Sequence, residues 1–128
     1  MNFLDAQTDL PALAERLANH GGLVIACYCA AWCDTCRAYR KPFEALAARM
    51  PGHLFTWIDI EENEALLGDE EIENFPTLLV QSHEGNLFFG PMPPHVEQLE
   101  RLLQGAGSVR ATADGPDKLR ELVAAAGR

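Results

Sequence analysis

Between residues 51 and 100 the chain has no lysine and no arginine. The same stretch holds eleven acids: Asp59, Glu61, Glu62, Glu64, Asp69, Glu70, Glu71, Glu73, Glu84, Glu97 and Glu100. Net charge over the whole chain is -9. That balance argues against nucleic acid and anionic membrane as partners. The acidic stretch is read first as a solvated face, and second as a face that steers basic partners. Long apolar runs are also missing: none approaches the roughly 20 residues needed to cross a bilayer. Met1 to Asp5 show no basic region followed by an apolar one, so no secretory leader is expected and a cytoplasmic setting is. His20, His53, His83 and His95 are scattered and form no H-E-x-x-H pair. G-x-G-x-x-G and P-loop motifs are absent as well. A Cys–His hydrolase and a nucleotide-dependent enzyme are therefore not expected, and no cofactor is implied.

What the chain does have is cysteine in one place. All four cysteines, Cys27, Cys29, Cys33 and Cys36, lie within ten residues. No bridge among them could close a long loop, so a disulfide scaffold is not the reading. Clustered cysteines of this kind point to redox or metal chemistry. The 128 residues suffice for a single domain with a sizeable core.

The hydrophobic pattern predicts the order of elements. A short strand is expected near Asn2 to Leu4. A helix follows from about Asp9, with Pro11 in its first turn, to Asn19. Leu23 to Cys29 is an uncharged apolar run, expected as a central strand buried on both faces. Cys33 to Met50 is expected as a helix, kinked at Pro42. His53 to Ile60 is the next strand, completing a βαβ unit. Glu61 to Asn74 has helical propensity, with a break at Gly68. Thr77 to Gln81 and Leu87 to Phe89 form a hairpin. After the rigid loop from Gly90 to Pro94, a helix carries Val96, Leu99, Leu102 and Leu103 on one face. Residues 105–115 read as a linker. Pro116 is expected to open a last helix, with Leu119, Leu122, Val123 and Ala126 as its apolar stripe.

Cys33-Asp34-Thr35-Cys36 carries the chemistry. A spacing of three puts both thiols on one face of the first helical turn. One thiolate can then attack a disulfide while the second displaces the product. At a strand-to-helix junction, unpaired N–H groups and the helix dipole favour an anion at Cys33. Arg37 adds positive charge, and Asp34 opposes it. Cys33 is thus the expected nucleophile and Cys36 the resolving thiol. Two inert buried cysteines are the competing reading. Cys27 and Cys29 are two apart on a strand and share a face. They are read first as small buried hydrophobes. A thiol reserve, or a four-thiolate site for zinc or an iron–sulfur cluster, is the alternative.

Trp32-Cys33-Asp34-Thr35-Cys36-Arg37 resembles the W-C-x-x-C-[KR] signature of the thioredoxin superfamily, and Phe75-Pro76-Thr77 resembles its second signature. The resemblance covers about residues 8–103. It implies an α/β thioredoxin-like fold: a central mixed sheet of four to five strands, helices on both faces, and here an extra C-terminal helix. On that basis residues 1–104 form the thioredoxin-like domain, 105–115 the linker and 116–128 a helical extension. The resemblance further implies a cis bond before Pro76, with Phe75 and Pro76 presenting backbone to a substrate strand. Trp32 would be an apolar rim, and Gly90 and Pro91 a third wall. The implied activity is reduction of protein disulfides by a monomer through a Cys33–Cys36 couple, with electrons from a reductase partner. Departures from the family pattern are specific. Cys27 stands where many thioredoxins carry a buried acid, about Trp57 where they carry a lysine, and Cys29 where they carry an aromatic. Cys27 is therefore grouped with Asp34 and Arg37 as a residue that tunes the pair. A binding or chaperone module with little redox turnover is the alternative function, and a peroxidase ranks below both.

Overall fold

The computed structural model describes residues 2–112 and 114–126. Five strands form one mixed sheet: β1 (Phe3–Asp5), β2 (Val24–Cys29), β3 (Leu54–Asp59), β4 (Thr77–Ser82) and β5 (Gly85–Pro91). Their spatial order is β1-β3-β2-β4-β5. β2 is central because it carries no charge and is apolar on both faces, a pattern only an interior strand satisfies. It pairs in parallel with β3, and antiparallel with β4.

Four α-helices cover the two faces: α1 (Leu10–Asn19), α2 (Asp34–Arg49), α3 (Val96–Gln104) and α4 (Leu119–Ala126). Strand alternation divides the core between them. Ile25, Cys27, Cys29, Phe55 and Trp57 point to the side covered by α2 and α3. Ala26, Tyr28, Leu54 and Ile58 point to the side covered by α1 and α4. On the first side Phe43 anchors α2. Its ring meets Phe3, Tyr39, Phe55 and Trp57 with centroids 5.4 to 6.1 Å apart. Burying one such side chain contributes about 1.5–3 kcal/mol. This aromatic cluster seats α2 on the sheet and so sets the height of Cys36 above it. α2 runs on through Pro42, which lies on the solvent side.

The helix expected between Glu61 and Asn74 is reduced to a 3-10 turn at Glu64–Leu67. Its acids have no cation three or four residues away, so like charges would line a helix there. Leu66 is its one fully buried side chain, and Gly68 leaves the helical region at φ 66°.

The last helix begins three residues after Pro116, at Leu119. The cause is a buried polar clasp. Gln81 and Asn86, on the β4–β5 hairpin, are both nearly enclosed. Gln81 Nε2 donates to Asn86 Oδ1 and to the Asp117 carbonyl. Gln81 Oε1 accepts from the Leu119 amide at 2.9 Å, capping α4. Asn86 Nδ2 donates to the carbonyls of Asp114 and Pro116. Upstream, residues 105–115 contain a 3-10 turn at Ala106–Ser108 and a bridge from Thr112 to Asn86. α4 then packs against α1 and the 3-10 turn at Glu64–Leu67, with Leu119 and Val123 wholly enclosed.

Candidate active site

The four cysteines converge where β2 ends and α2 begins. Cys33 is the N-cap of α2, with extended backbone at φ -89° and ψ 116°. Its amide donates to the Ala30 carbonyl at 3.0 Å, closing the turn out of β2. Its carbonyl receives the Arg37 amide at 3.1 Å, the first bond of the helix. Cys33 is half-buried and carries a free thiol. Cys36, one turn on, faces the sheet and is 1% exposed.

The structure pairs Cys36 with Cys29, not with Cys33. This corrects the expectation of a Cys33–Cys36 bond for the state shown. Cys29 is the last residue of β2, and its side chain points up into the α2 face. The α carbons of Cys29 and Cys36 are 5.7 Å apart, within the range a disulfide spans. Cys27, two residues back, shares that face, and its sulfur lies 3.6 Å from the sulfur of Cys29. Complete burial pushes the Cys27 thiol well up, which keeps it protonated: an S–H donor with no thiolate available to take a proton. Across the strand pair Cys27 stands opposite Trp57, and Cys29 opposite Asp59. Among the described residues, no group of three or more His, Cys, Asp or Glu side chains is arranged to hold a metal ion.

The residues around the thiols fall into two groups. Asp34 and Arg37 form an ion pair with each other on the exposed face of the first turn. Arg37 also donates to the Ala31 carbonyl. In the second group, Trp32 is 64% exposed and meets the Phe75 ring edge-on at 5.6 Å. The Phe75–Pro76 peptide is cis. The Pro76 carbonyl receives the Met92 amide at 3.2 Å, tying this loop to the end of β5. Gly90 and Pro91 close β5 opposite Leu78 and Thr77. They line a cleft of about 290 Å³ together with Glu71, Glu73 and Asn74.

A larger open cleft, about 470 Å³, lies on the other side of the junction. Cys36, Arg40, Lys41, Trp57 and Asp59 line it. Arg40 is held by Asp5 at 2.7 Å and stacks over Trp57 and Phe3. Asp59 and Arg40 escaped the sequence reading. Their one signal was being charged residues on or facing a strand otherwise apolar.

The chemistry available is thiol–disulfide exchange at a helix N-terminus, beside an exposed aromatic rim. Residues 7–91 match the family model described as Thioredoxin. A putative thioredoxin H10 of Arabidopsis thaliana is 31% identical over 61 residues, 48% of this chain and 40% of that protein. A thioredoxin of the sponge Geodia cydonium is 26% identical over 77 residues, 60% of this chain and 71% of that one. The first of these matches thus spans well under two thirds of its relative. Among solved structures, the thioredoxin of Fasciola hepatica superposes with a TM-score of 0.64 at 24% identity, over 81% of this chain and 97% of that one. That of Trypanosoma brucei brucei gives 0.66 at 18% identity, over 83% and 91%. The sheet order, the Cys33–Cys36 turn, the cis bond before Pro76 and the family match across well over half of its length agree: the chain belongs to the thioredoxin family.

Proposed function

We propose that the protein is a thiol–disulfide oxidoreductase that reduces protein disulfides, with Cys33 as nucleophile and Cys36 as resolving thiol. The observation that supports it most is the placing of Cys33: a free, half-buried thiol at the N-cap of α2, beside the Trp32–Phe75 pair. The first amides of a helix have no intrahelical partner, and Cys33 stands at that end of α2. Substrate enters along Trp32, Phe75 and Pro76, with Gly90 and Pro91 as the far wall. Its strand pairs with the Phe75 backbone. The Cys33 thiolate attacks one substrate sulfur, and the other leaves as a thiolate that takes up a proton. The Cys36 thiolate then attacks the Cys33 sulfur and releases the second substrate thiol. A reductase partner returns two electrons to the resulting disulfide. This cycle begins from the form in which Cys36 is a thiol.

Cys36 must lose its proton for the second step. Cys27 is unsuited to receive it, since burial holds that thiol in its neutral form. Asp59 is the alternative acceptor: its carboxylate lines the cleft that Cys36 also lines. Asp34 and Arg37, paired on the surface, set the charge around the nucleophile. The setting proposed is a cytoplasmic monomer in which residues 1–104 carry the chemistry. Insulin reduction with dithiothreitol as donor tests the reading. Fully reduced wild type should turn over. Cys33→Ser should fall to the uncatalysed rate, and Cys36→Ser should stall as a mixed disulfide. Absence of turnover in the wild type with any thiol donor would leave a thioredoxin-fold binding module in its place.

A further inference from the structure

We propose that Cys29 is a third redox-active residue of this site: Cys36 trades its disulfide bond between Cys29 and Cys33. The proposal rests on Cys33 being the nucleophile, as argued above. Three placements carry it. Cys36 is bonded to Cys29 in the structure, so the end of β2 lies within reach of the helix thiol. Cys33 precedes Cys36 by one helical turn and packs against the same apolar cluster that holds Cys29 and Cys36. The sulfur of Cys36 thus has a strand neighbour below it and an N-cap neighbour before it. The third placement is Cys27, whose sulfur is 3.6 Å from that of Cys29.

The step balances within the chain. The Cys33 thiolate attacks the Cys36 sulfur, and the Cys33–Cys36 bond forms as the Cys29–Cys36 bond breaks. The bonding electron pair leaves on Cys29. Cys33 has given up one proton and Cys29 takes up one. No oxidant or reductant is consumed. The Cys27 S–H, kept neutral by burial, donates to the departing Cys29 sulfur and eases a charge that would otherwise form in an apolar core. The two forms differ in what they can do. With Cys29 bonded to Cys36, Cys33 is a thiol whose mixed disulfides Cys36 cannot resolve. With Cys33 bonded to Cys36, the pair is the oxidised product of dithiol turnover. Exchange with Cys29 therefore sets how much of the oxidised protein is offered to a reductase through the half-buried Cys33 sulfur.

Thiol mapping tests this directly. Reduced protein is oxidised anaerobically with one equivalent of diamide, quenched in acid, and labelled with a maleimide under denaturing conditions. Cleavage before Asp34 puts Cys36 on one peptide and Cys27, Cys29 and Cys33 on the other. The residue left unlabelled then names the partner of Cys36. In Cys33→Ser, whose substituted side chain is partly exposed, two of three thiols should disappear, joined as Cys29–Cys36. Retention of all three thiols overturns the proposal. In wild type both partners should appear, so label is found on Cys29 in one population and on Cys33 in the other. Label confined to either one overturns the exchange. Insulin reduction by fully reduced wild type is read separately. Two partners without insulin turnover remove the reductase reading and leave the exchange. Turnover together with three intact thiols in Cys33→Ser does the reverse.

Discussion

Asp59 ends β3 directly opposite Cys29, and one of its carboxylate oxygens receives the amides of Glu61 and Glu62 at 2.9 and 3.3 Å. Those bonds fix its rotamer, and they survive replacement by asparagine, whose amide oxygen also accepts. Asp59→Asn therefore removes the charge and keeps the shape. If Asp59 takes the Cys36 proton, the mixed disulfide on Cys33 should outlive that of wild type by about a hundredfold or more, the scale of a lost general base. Acid-quenched mass measurement during a single turnover reads that lifetime. An unchanged lifetime would sink the assignment. Cys33, Cys36 and Trp32 were legible because their order along the chain is their order in the turn. Phe75 and Pro76 were legible through the second signature. The partner of Cys36 was not. Strand parity places Cys29 on the helix-facing side, but it does not say which helix sulfur lies above it. Asp59 depends on the register of β3 against β2, which no local pattern encodes.

Elements repeat the contrast. β2, α2 and β3 follow from composition and period, because each is long and its apolar positions are unambiguous. α4 was legible as a stripe of Leu119, Leu122 and Val123, while its docking site was not. That site is defined by Gln81 and Asn86, two polar residues that read as ordinary hairpin positions. Enclosed in the fold, they bind the segment before α4 and fix where the helix starts. Gln81→Ala leaves the Leu119 amide, the Asp117 carbonyl and an Asn86 oxygen without their buried partner. It should lower stability by about 2–4 kcal/mol. Leu119→Ala should cost about 2–5 kcal/mol by opening a cavity between α4 and α1. Urea unfolding followed by far-UV circular dichroism measures both. If both changes leave the midpoint where it was, α4 is not part of the cooperative unit. The acidic segment from Glu61 to Asn74 went the other way. Its propensity is helical, but seven acids without a cation leave no favourable pairs along a helix face.

At the scale of the molecule, one acidic segment of the chain lies beside the proposed substrate groove. Strand order brings β4 and β5 together, and the segment that feeds β4 carries Asp69, Glu70, Glu71 and Glu73 immediately before Phe75 and Pro76. Glu71 and Glu73 share a cleft with Gly90 and Pro91, the proposed far wall for substrate. Residues 51–100 supply no lysine or arginine to offset them. An acidic patch of this kind raises the local concentration of oppositely charged partners and slows like-charged ones. Disulfide-linked peptides of equal length, one with lysines flanking the cysteine and one with glutamates, should separate at low salt. The basic peptide should react at least about tenfold faster, expressed as kcat/KM, with the difference held in the second-order step. Raising ionic strength to about 1 M shortens the screening length to roughly 3 Å, and the two rates should converge. Glu71→Gln with Glu73→Gln should narrow the gap at low salt, because neither side chain touches the thiols. Equal rates for both peptides at low salt would mean that the acidic flank is a solvated surface and takes no part in choosing substrates.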